Sequence, residues 1–428
     1  MPVDTSKPMR VLYMTHTAEL GGCNRSLRFL LENLPANVQR HLICPPGPLY
    51  DSFHSTGTEV IQIPGVSMFQ SAGAPLRGRR LATLALTVGY MRHGKIIRAA
   101  LQQIKPDLVH MNEWGMFHAA KICHKARIPV VMQVRCVVDR KTQWVKRLCE
   151  RWAEHYVSAL VAIDESVRYS IRECSNCSVI YNPAEWPENT PPHQVRAKNS
   201  PVHVTFLAGL QPYKGIWDLL ECAKLLKDRK DIIFDIYGGN ARSREFLNSF
   251  RGRLCLWTGL LRDSENEIKR WVEREKLQET VRLHGHVNAS EAIFRQTDIL
   301  AFPSRLNGIG RSVFEAGVYG IPAVACLQDK IKDIVEDGVN ALVVDERDPA
   351  ALAQAVRKLA DDPDLCYRLG QAAARKYRTL FDARRIGAQM YELYQTLLLK
   401  PQAMRFTFVH QPRVAARGVA AQSAQVEK

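Results

Sequence analysis

The sequence predicts an α/β protein built from two doubly wound parallel sheets, and three observations lead there. The chain has 428 residues, too many for one ordinary domain and enough for two that each bury a core. Short apolar runs of strand length alternate with segments of helical periodicity, the pattern of parallel strands joined by crossover helices. The alternation occurs twice, on either side of a stretch in which Pro183, Pro187, Pro191 and Pro192 interrupt all periodicity. The expected organisation is a domain over 1–185, a linker over 186–200, a second domain over 201–380, a C-terminal helix over 381–399 packing back on the first domain, and a mobile basic tail over 400–428.

In the first half, the run Val11–Met14 predicts the opening strand. It leads through HTAELGGCNRS into SLRFLLENL, apolar at Leu27, Leu30, Leu31 and Leu34 with helical spacing. Gly21 and Gly22 thus stand at a carboxyl strand end, where open parallel sheets bind ligands. They are adjacent and not spaced as G-x-G-x-x-G, so no dinucleotide fingerprint is present. Further strands are expected at His41–Cys44, Glu59–Ile63, Asp107–Met111, Val130–Val134, Leu160–Ile163 and Val179–Tyr181. The fourth strand presents His110, Asn112 and Glu113 at its carboxyl end, and the fifth ends with Arg135 at comparable depth, which makes a cleft on that rim plausible.

In the second half, strands are expected at Val204–Leu207, Ile232–Ile236, Val281–Leu283, Ile299–Phe302, Ala323–Cys326 and Ala341–Val344. After the first of these, AGLQPYKG places Lys214 where a strand gives way to a helix, beside whatever anion the helix start binds. The stretch Ala301–Ala325 leaves a strand, turns at Gly308 and Gly310, and enters a helix carrying Arg311, Ser312 and Glu315. Amides of Ile309, Gly310, Arg311 and Ser312 at a helix start favour a phosphate, and Glu315 lies one turn in, able to reach a ribose diol. The alternative, that the glycines only turn the chain and Glu315 complements the helix dipole, stays open on this stretch alone. Amphipathic helices are expected over PAALAQAVRKLADDP and ARRIGAQMYELYQTLL.

Composition narrows the function classes. The net charge is +16, and residues 1–200 hold 25 Lys and Arg against 15 Asp and Glu, so an acidic partner is expected. Residues 77–98 bracket an apolar stretch with Arg77, Arg79, Arg80, Arg92, Lys95 and Arg98 and no acid. Anionic lipid contributes ~1 kcal/mol per basic residue near its surface, so an anionic membrane is one reading and a core helix with a basic rim is the other. No run reaches the ~20 apolar residues of a membrane span, and no export signal is recognised, so a cytoplasmic location is expected, peripheral on the inner membrane face if residues 77–98 bind lipid. Nucleic acid is not expected as a partner, because no recognition motif accompanies the charge. The 11 cysteines are scattered, His284 and His286 lack a third ligand, and no metal site is expected.

In order, the segments GGCNRS, PDLVHMN, VIYNP, AGLQPYKG, HGHV, PSRLNGIGRSVFEAGVYGIPAVA and DIVEDGVNALVV resemble the GT-B glycosyltransferases, specifically the retaining family four that includes many bacterial polysaccharide and lipopolysaccharide sugar transferases. The resemblance implies two Rossmann-like domains facing a cleft, with no cofactor and a nucleotide diphosphate sugar as substrate. By position it gives Glu315 the second acid of the Glu-x7-Glu motif, on the ribose hydroxyls, and Lys214 the donor diphosphate. It gives Gly21, Gly22 and the 308–312 loop backbone contacts to phosphate or sugar, and places His110 near the reacting carbon. Asn112 and Arg135 are then acceptor-side groups.

This chain departs from the family pattern at four places. Asn307 stands at the first acid of the motif, Leu210 at a frequent arginine, Asn112 at the second histidine of His-x-His, and Asn24 at a frequent glutamate. An amide at 307 still accepts a hydrogen bond and also donates. The expected function is metal-independent, retaining transfer of a sugar to a hydroxyl of a glycan or lipid-linked acceptor in cell-surface polysaccharide synthesis, with His110, Lys214 and Glu315 as catalytic residues. The alternative is a subunit or sensor that binds a nucleotide sugar without transferring it.

Overall fold

The computed structural model describes residues 8–399 apart from 19–20, 64–92, 139–142, 185, 187–199, 241–243, 260, 288–290, 306–307 and 328–332. Most of the basic stretch 77–98, the prolines of the linker beyond Pro183, Asn307 and the tail 400–428 therefore lie outside the described residues.

The first sheet has seven parallel strands: β1 (Met9–Met14), β2 (Val38–Cys44), β3 (Glu59–Gln62), β4 (Leu108–Met111), β5 (Val130–Val134), β6 (Ala159–Ala162) and β7 (Cys177–Val179). Their order is β3-β2-β1-β4-β5-β6-β7. The helices are α1 (Gly22–Glu32), α2 (Leu49–His54), α3, described over 93–104, α4 (Phe117–Lys125), α5 (Gln143–Tyr156) and α6 (Glu165–Ser170). β4, β5 and β6 are buried on both faces, which is why they read as unbroken apolar runs. β7 starts two residues before the expected Val179, in register with Leu160 to Ala162 of β6. α1 starts four residues before the expected Ser26, because Gly21 is already its N-cap.

The second sheet has six parallel strands: β8 (Val202–Leu207), β9 (Ile232–Tyr237), β10 (Val281–Gly285), β11 (Ile299–Phe302), β12 (Ala323–Cys326) and β13 (Ala341–Val344), in the order β10-β9-β8-β11-β12-β13. A single 3-10 turn, Pro212–Lys214, precedes α7 (Ile216–Leu225). There follow α8 (Arg244–Asn248), α9 (Phe250–Trp257), α10 (Ser264–Arg274), α11 (Glu291–Arg295), α12 (Arg311–Val318), α13 (Pro349–Asp361), α14 (Pro363–Leu380) and α15 (Ala383–Leu399). Asp348 and Asp362 cap α13 and α14 by accepting from Ala351 N and Leu365 N at 2.8 and 2.9 Å, and proline follows each cap at the first helical position.

Helices cover both faces of each sheet, giving two three-layer, doubly wound domains of Rossmann-like form. α15 leaves the second domain and packs on the first. Its Ile386, Met390, Leu393, Tyr394 and Leu397 share a core with Leu27, Leu30 and Leu31 of α1 and with Tyr13 of β1. The chain thus crosses between domains twice, near Ala184 and near Asp382. The two crossings lie side by side, with Ala184 N donating to Phe381 O at 2.9 Å.

Each sheet reverses its strand order at one point, between β1 and β4 in the first and between β8 and β11 in the second. Crevices at the carboxyl ends of strands open at such points. Gly21 and Gly22 follow β1 and Asn112 follows β4; Lys214 follows β8 and the 308–310 loop follows β11.

Candidate functional site

The second domain's half of the site is assembled by backbone packing. Gly215 has φ of +79°, and a Cβ there would lie 1.7 Å from the Pro303 carbonyl oxygen, so only glycine lets the loop after β8 close on the loop after β11. Arg305 N donates to Tyr213 O at 2.9 Å, and the Arg305 guanidinium grips both oxygens of Asp218 at 2.9 and 2.7 Å. These contacts hold Lys214 and the glycine loop on one rim. Lys214 is half-buried, and burial pushes its ammonium below the ordinary lysine value.

Gly310 caps α12, and its backbone passes so close to the Phe302 ring that a Cβ would fall 2.4 Å from it. The amides of residues 309–312 precede the first intrahelical bond, Val313 N to Gly310 O at 3.1 Å, and point along the helix start where an anion is favoured. Ser312 and Glu315 are buried on the first turns. Gly308, with φ of +119°, turns toward the first domain, where Val137 is the neighbour of its side-chain direction at 3.6 Å.

Arg311 joins the two rims. It donates to Glu315 Oε1 on its own helix at 2.8 Å, to Ser26 Oγ at 2.6 Å and to the Pro183 carbonyl at 3.1 Å. Its Cδ packs 3.4 Å from the position of a Cβ on Gly22. Arg25 of α1 adds a second guanidinium 3.5 Å from Glu315 Oε1. Glu315, expected to face a ribose, is therefore held between two arginines, one from each domain. The trio carries a net positive charge and suits an anion better than a neutral ligand.

On the first rim, a polar network runs beneath the surface. Arg135 donates to Asn112 Oδ1 at 2.8 Å, Asn182 Oδ1 at 2.6 Å and Gln133 Oε1 at 2.6 Å. Burial pushes its guanidinium down to about 10, so it stays charged at neutral pH. Asn112 donates to Asn24 Oδ1 at 3.1 Å, which also accepts from Thr15 Oγ1 at 2.8 Å. His110 lies between Gln133 Oε1 at 3.3 Å and the Tyr394 hydroxyl at 2.6 Å. Because Gln133 Oε1 already faces a guanidinium, which only donates, it must accept from the imidazole as well. Nε2 then carries the proton and Nδ1 accepts from Tyr394. Burial pushes the His110 pKa down to about 3, with Arg135 adding to the effect.

The structure thus brings Lys214, Gly308, Ile309, Gly310, Arg311, Ser312 and Glu315 to one rim, with Gly21 and Gly22 on the rim facing it. His110 and Asn112 are both 0% exposed and lie under the first rim, where neighbouring side chains engage them. Arg135 is half-buried beside them, bonded to Asn112 and Gln133. Leu210 is part of the second domain's core. Sequence reasoning missed Arg25 and Ser26, although they stand in the GGCNRS segment, and it missed Gln133 and Tyr394, whose roles depend on partners far away in the chain.

Residues 190–376 match the family model for glycosyl transferases group 1, and residues 21–178 match that for the glycosyl transferase 4-like domain. Among curated relatives, the glycogen synthase of Mycobacterium tuberculosis is 22% identical over 88% of this chain and 91% of that protein. The D-inositol 3-phosphate glycosyltransferase of Corynebacterium efficiens is 23% identical over 78% of this chain and 82% of that protein. Among solved structures, Anabaena HepE in complex with UDP-glucose superimposes with a TM-score of 0.70 at 17% identity, covering 91% of this chain and all of that one. Sucrose-phosphate synthase of Thermosynechococcus elongatus gives 0.67 at 15% identity, covering 91% and 99%. At these identities the solved structures speak to the fold.

Proposed function

We infer, for a chain that belongs to the glycosyltransferases, its first part to the 4-like domain family and its second to group 1, that it moves a sugar from a nucleotide diphosphate sugar to a hydroxyl. The observation that supports this most is the meeting of the two switch points across Arg311, with Lys214 and the start of α12 on one side and Gly22 on the other. The donor diphosphate lies against Lys214 and the amides of 309–312. The ribose takes Glu315, displacing Arg311 or Arg25 from it. In the step itself the acceptor oxygen bonds to the anomeric carbon on the face from which the diphosphate departs. The bond from that carbon to the phosphate oxygen breaks, and the acceptor proton passes to the leaving phosphate. Retention and independence of metal both belong to this proposal.

Negative charge grows on the leaving diphosphate, where a fixed ammonium and helix-start amides stabilise it without reorganising. His110, Asn112 and Arg135 act from beneath, holding the floor of the acceptor side in place; on this reading they are positioning residues. The acceptor is a glycan or lipid-linked hydroxyl and the setting is cell-surface polysaccharide synthesis on the cytoplasmic side, a reading supported by the excess of basic charge.

UDP-glucose, the ligand in the HepE complex, is the first donor to test by calorimetry and by release of UDP with an acceptor panel. Lys214→Ala and Glu315→Ala are each expected to weaken donor binding about tenfold or more, as loss of a charge-assisted hydrogen bond does. Turnover is expected to survive a chelator. Unchanged binding in both variants sinks the site assignment, and binding without transfer to any acceptor turns the protein into a non-transferring sensor.

A further inference from the structure

Between β9 and α10 the chain forms a hairpin of two short helices, α8 and α9, outside the site described above. Its base is fixed by reciprocal bonds. Asn240 N donates to Glu265 Oε1 at 3.0 Å, Asn240 Nδ2 to Asp263 Oδ1 at 2.9 Å, and Glu265 N to Asn240 Oδ1 at 3.1 Å. Its turn is fixed as well: Ser249 Oγ accepts from Gly252 N at 3.1 Å and donates to Phe246 O at 2.7 Å. A Cβ on Gly252 would fall 1.9 Å from the Phe246 carbonyl, so glycine lets the two helices touch. Gly252 and Leu247 are buried there.

At about 100° per residue, Phe250, Leu254 and Trp257 share one face of α9, opposite Gly252. That face looks away from the protein. Phe250 and Trp257 are 84% exposed and Leu254 is 49% exposed, with Phe246 of α8 at 37%. Arg251 and Arg253, both exposed, flank the stripe on its two sides. Residues 244–262 hold four arginines against the single acid Glu245. An aromatic stripe rimmed by guanidiniums matches the layers of a bilayer surface, apolar below and anionic above. Charge selects the occupant, since a second copy of this chain, itself at +16, would bring more arginine to the contact and an anionic leaflet would neutralise it.

We propose that the α8–α9 hairpin docks the protein on an anionic membrane surface. Phe250 and Trp257 enter the boundary between headgroups and acyl chains, and Arg251 and Arg253 meet lipid phosphates. The hairpin rises from the carboxyl rim of the second sheet, where Leu210 N donates to Gly239 O at 3.1 Å, so docking brings the loops after β8 and β9 close to the lipid surface. The inference stands apart from the transfer reading, and its test needs no sugar nucleotide.

The test is sedimentation of the full chain with vesicles of phosphatidylcholine alone or mixed with phosphatidylglycerol. Wild-type protein is expected to bind the mixed vesicles, less so as salt rises. The double variant Phe250→Ser/Trp257→Ser is expected to bind about tenfold more weakly or worse, as loss of two interfacial aromatics implies. Arg251→Glu/Arg253→Glu is expected to lose at least about fivefold for each charge removed. Both variants are expected to keep the wild-type melting temperature, because the changed side chains are exposed. In wild type and in Trp257→Phe, the blue shift of tryptophan emission on vesicle binding reports Trp257 itself, and it is expected to shrink in the variant. The proposal is overturned if wild-type protein ignores anionic vesicles, or if both double variants bind as wild type does. It is also overturned if light scattering finds a wild-type dimer that Phe250→Ser/Trp257→Ser converts to monomer.

Discussion

Lys214 shows how a single burial sets a working range. Partial burial disfavours its ammonium and lowers its pKa from the ordinary 10.5. The side chain sheds its proton at a less alkaline pH than an exposed lysine. A donor diphosphate binds the charged form. Affinity for UDP-glucose is therefore expected to fall as pH rises toward that lowered value. Lys214→Arg is expected to move the fall upward, since a guanidinium does not titrate there. Titration calorimetry across the alkaline range checks this, and identical profiles for the two proteins would remove Lys214 from the diphosphate. The glycines nearby were legible in the sequence as a phosphate-friendly turn. The pairing of Glu315 with Arg25 was not, because nothing local in either segment signals a contact made only after two domains close.

Among the elements, strands were the most legible. Most are short runs rich in apolar residues, too short for a helix and with turn residues at their ends, and the thirteen expected runs correspond to the thirteen strands among the described residues; β10, with Arg282 and His284, is the least apolar of them. The helix α14 escaped notice because its buried positions, Cys366, Leu369, Ala373, Ala374 and Tyr377, are mostly small and are interleaved with Arg and Gln. The role of α15 was only half legible. Its amphipathic face was plain, but the bond from Tyr394 to His110 links residues 284 apart. That bond joins β4 to α15 around a neutral imidazole, and it has a consequence for stability. An unfolded histidine takes up a proton below pH 6.5, whereas His110 in the fold resists it until about 3. The unfolded chain then binds more protons, so stability from this group is whole above pH 6.5 and is lost progressively as pH falls toward 3. His110→Gln is expected to flatten that acid dependence, and Tyr394→Phe to cost about 1 kcal/mol at neutral pH. Urea midpoints measured across the acid range check both, and a His110→Gln slope equal to wild type would contradict the buried neutral ring.

For the whole molecule, the bonds of Arg311 to Ser26 and Pro183 tie the domains at the candidate site. Asp333 ties them a second time, accepting from Glu165 N at 2.9 Å and from the Tyr181 hydroxyl at 3.4 Å. Arg311→Ala is expected to let the domains part, which small-angle scattering would show as a larger radius of gyration without ligand. An unchanged radius would mean that Asp333 and the paired crossings hold the closed form by themselves. The crossings at Ala184 and Asp382 have a consequence in time as well as in space. The first domain draws part of its core from Ile386, Met390, Leu393 and Leu397, residues made some two hundred positions after its last strand. During synthesis the second domain, contiguous in the chain, has all its strands available before the first can seal its core. The domain that begins the polypeptide is thus the later of the two to be completed, and until α15 emerges from the ribosome the part of the core beside α1 that it covers stays open.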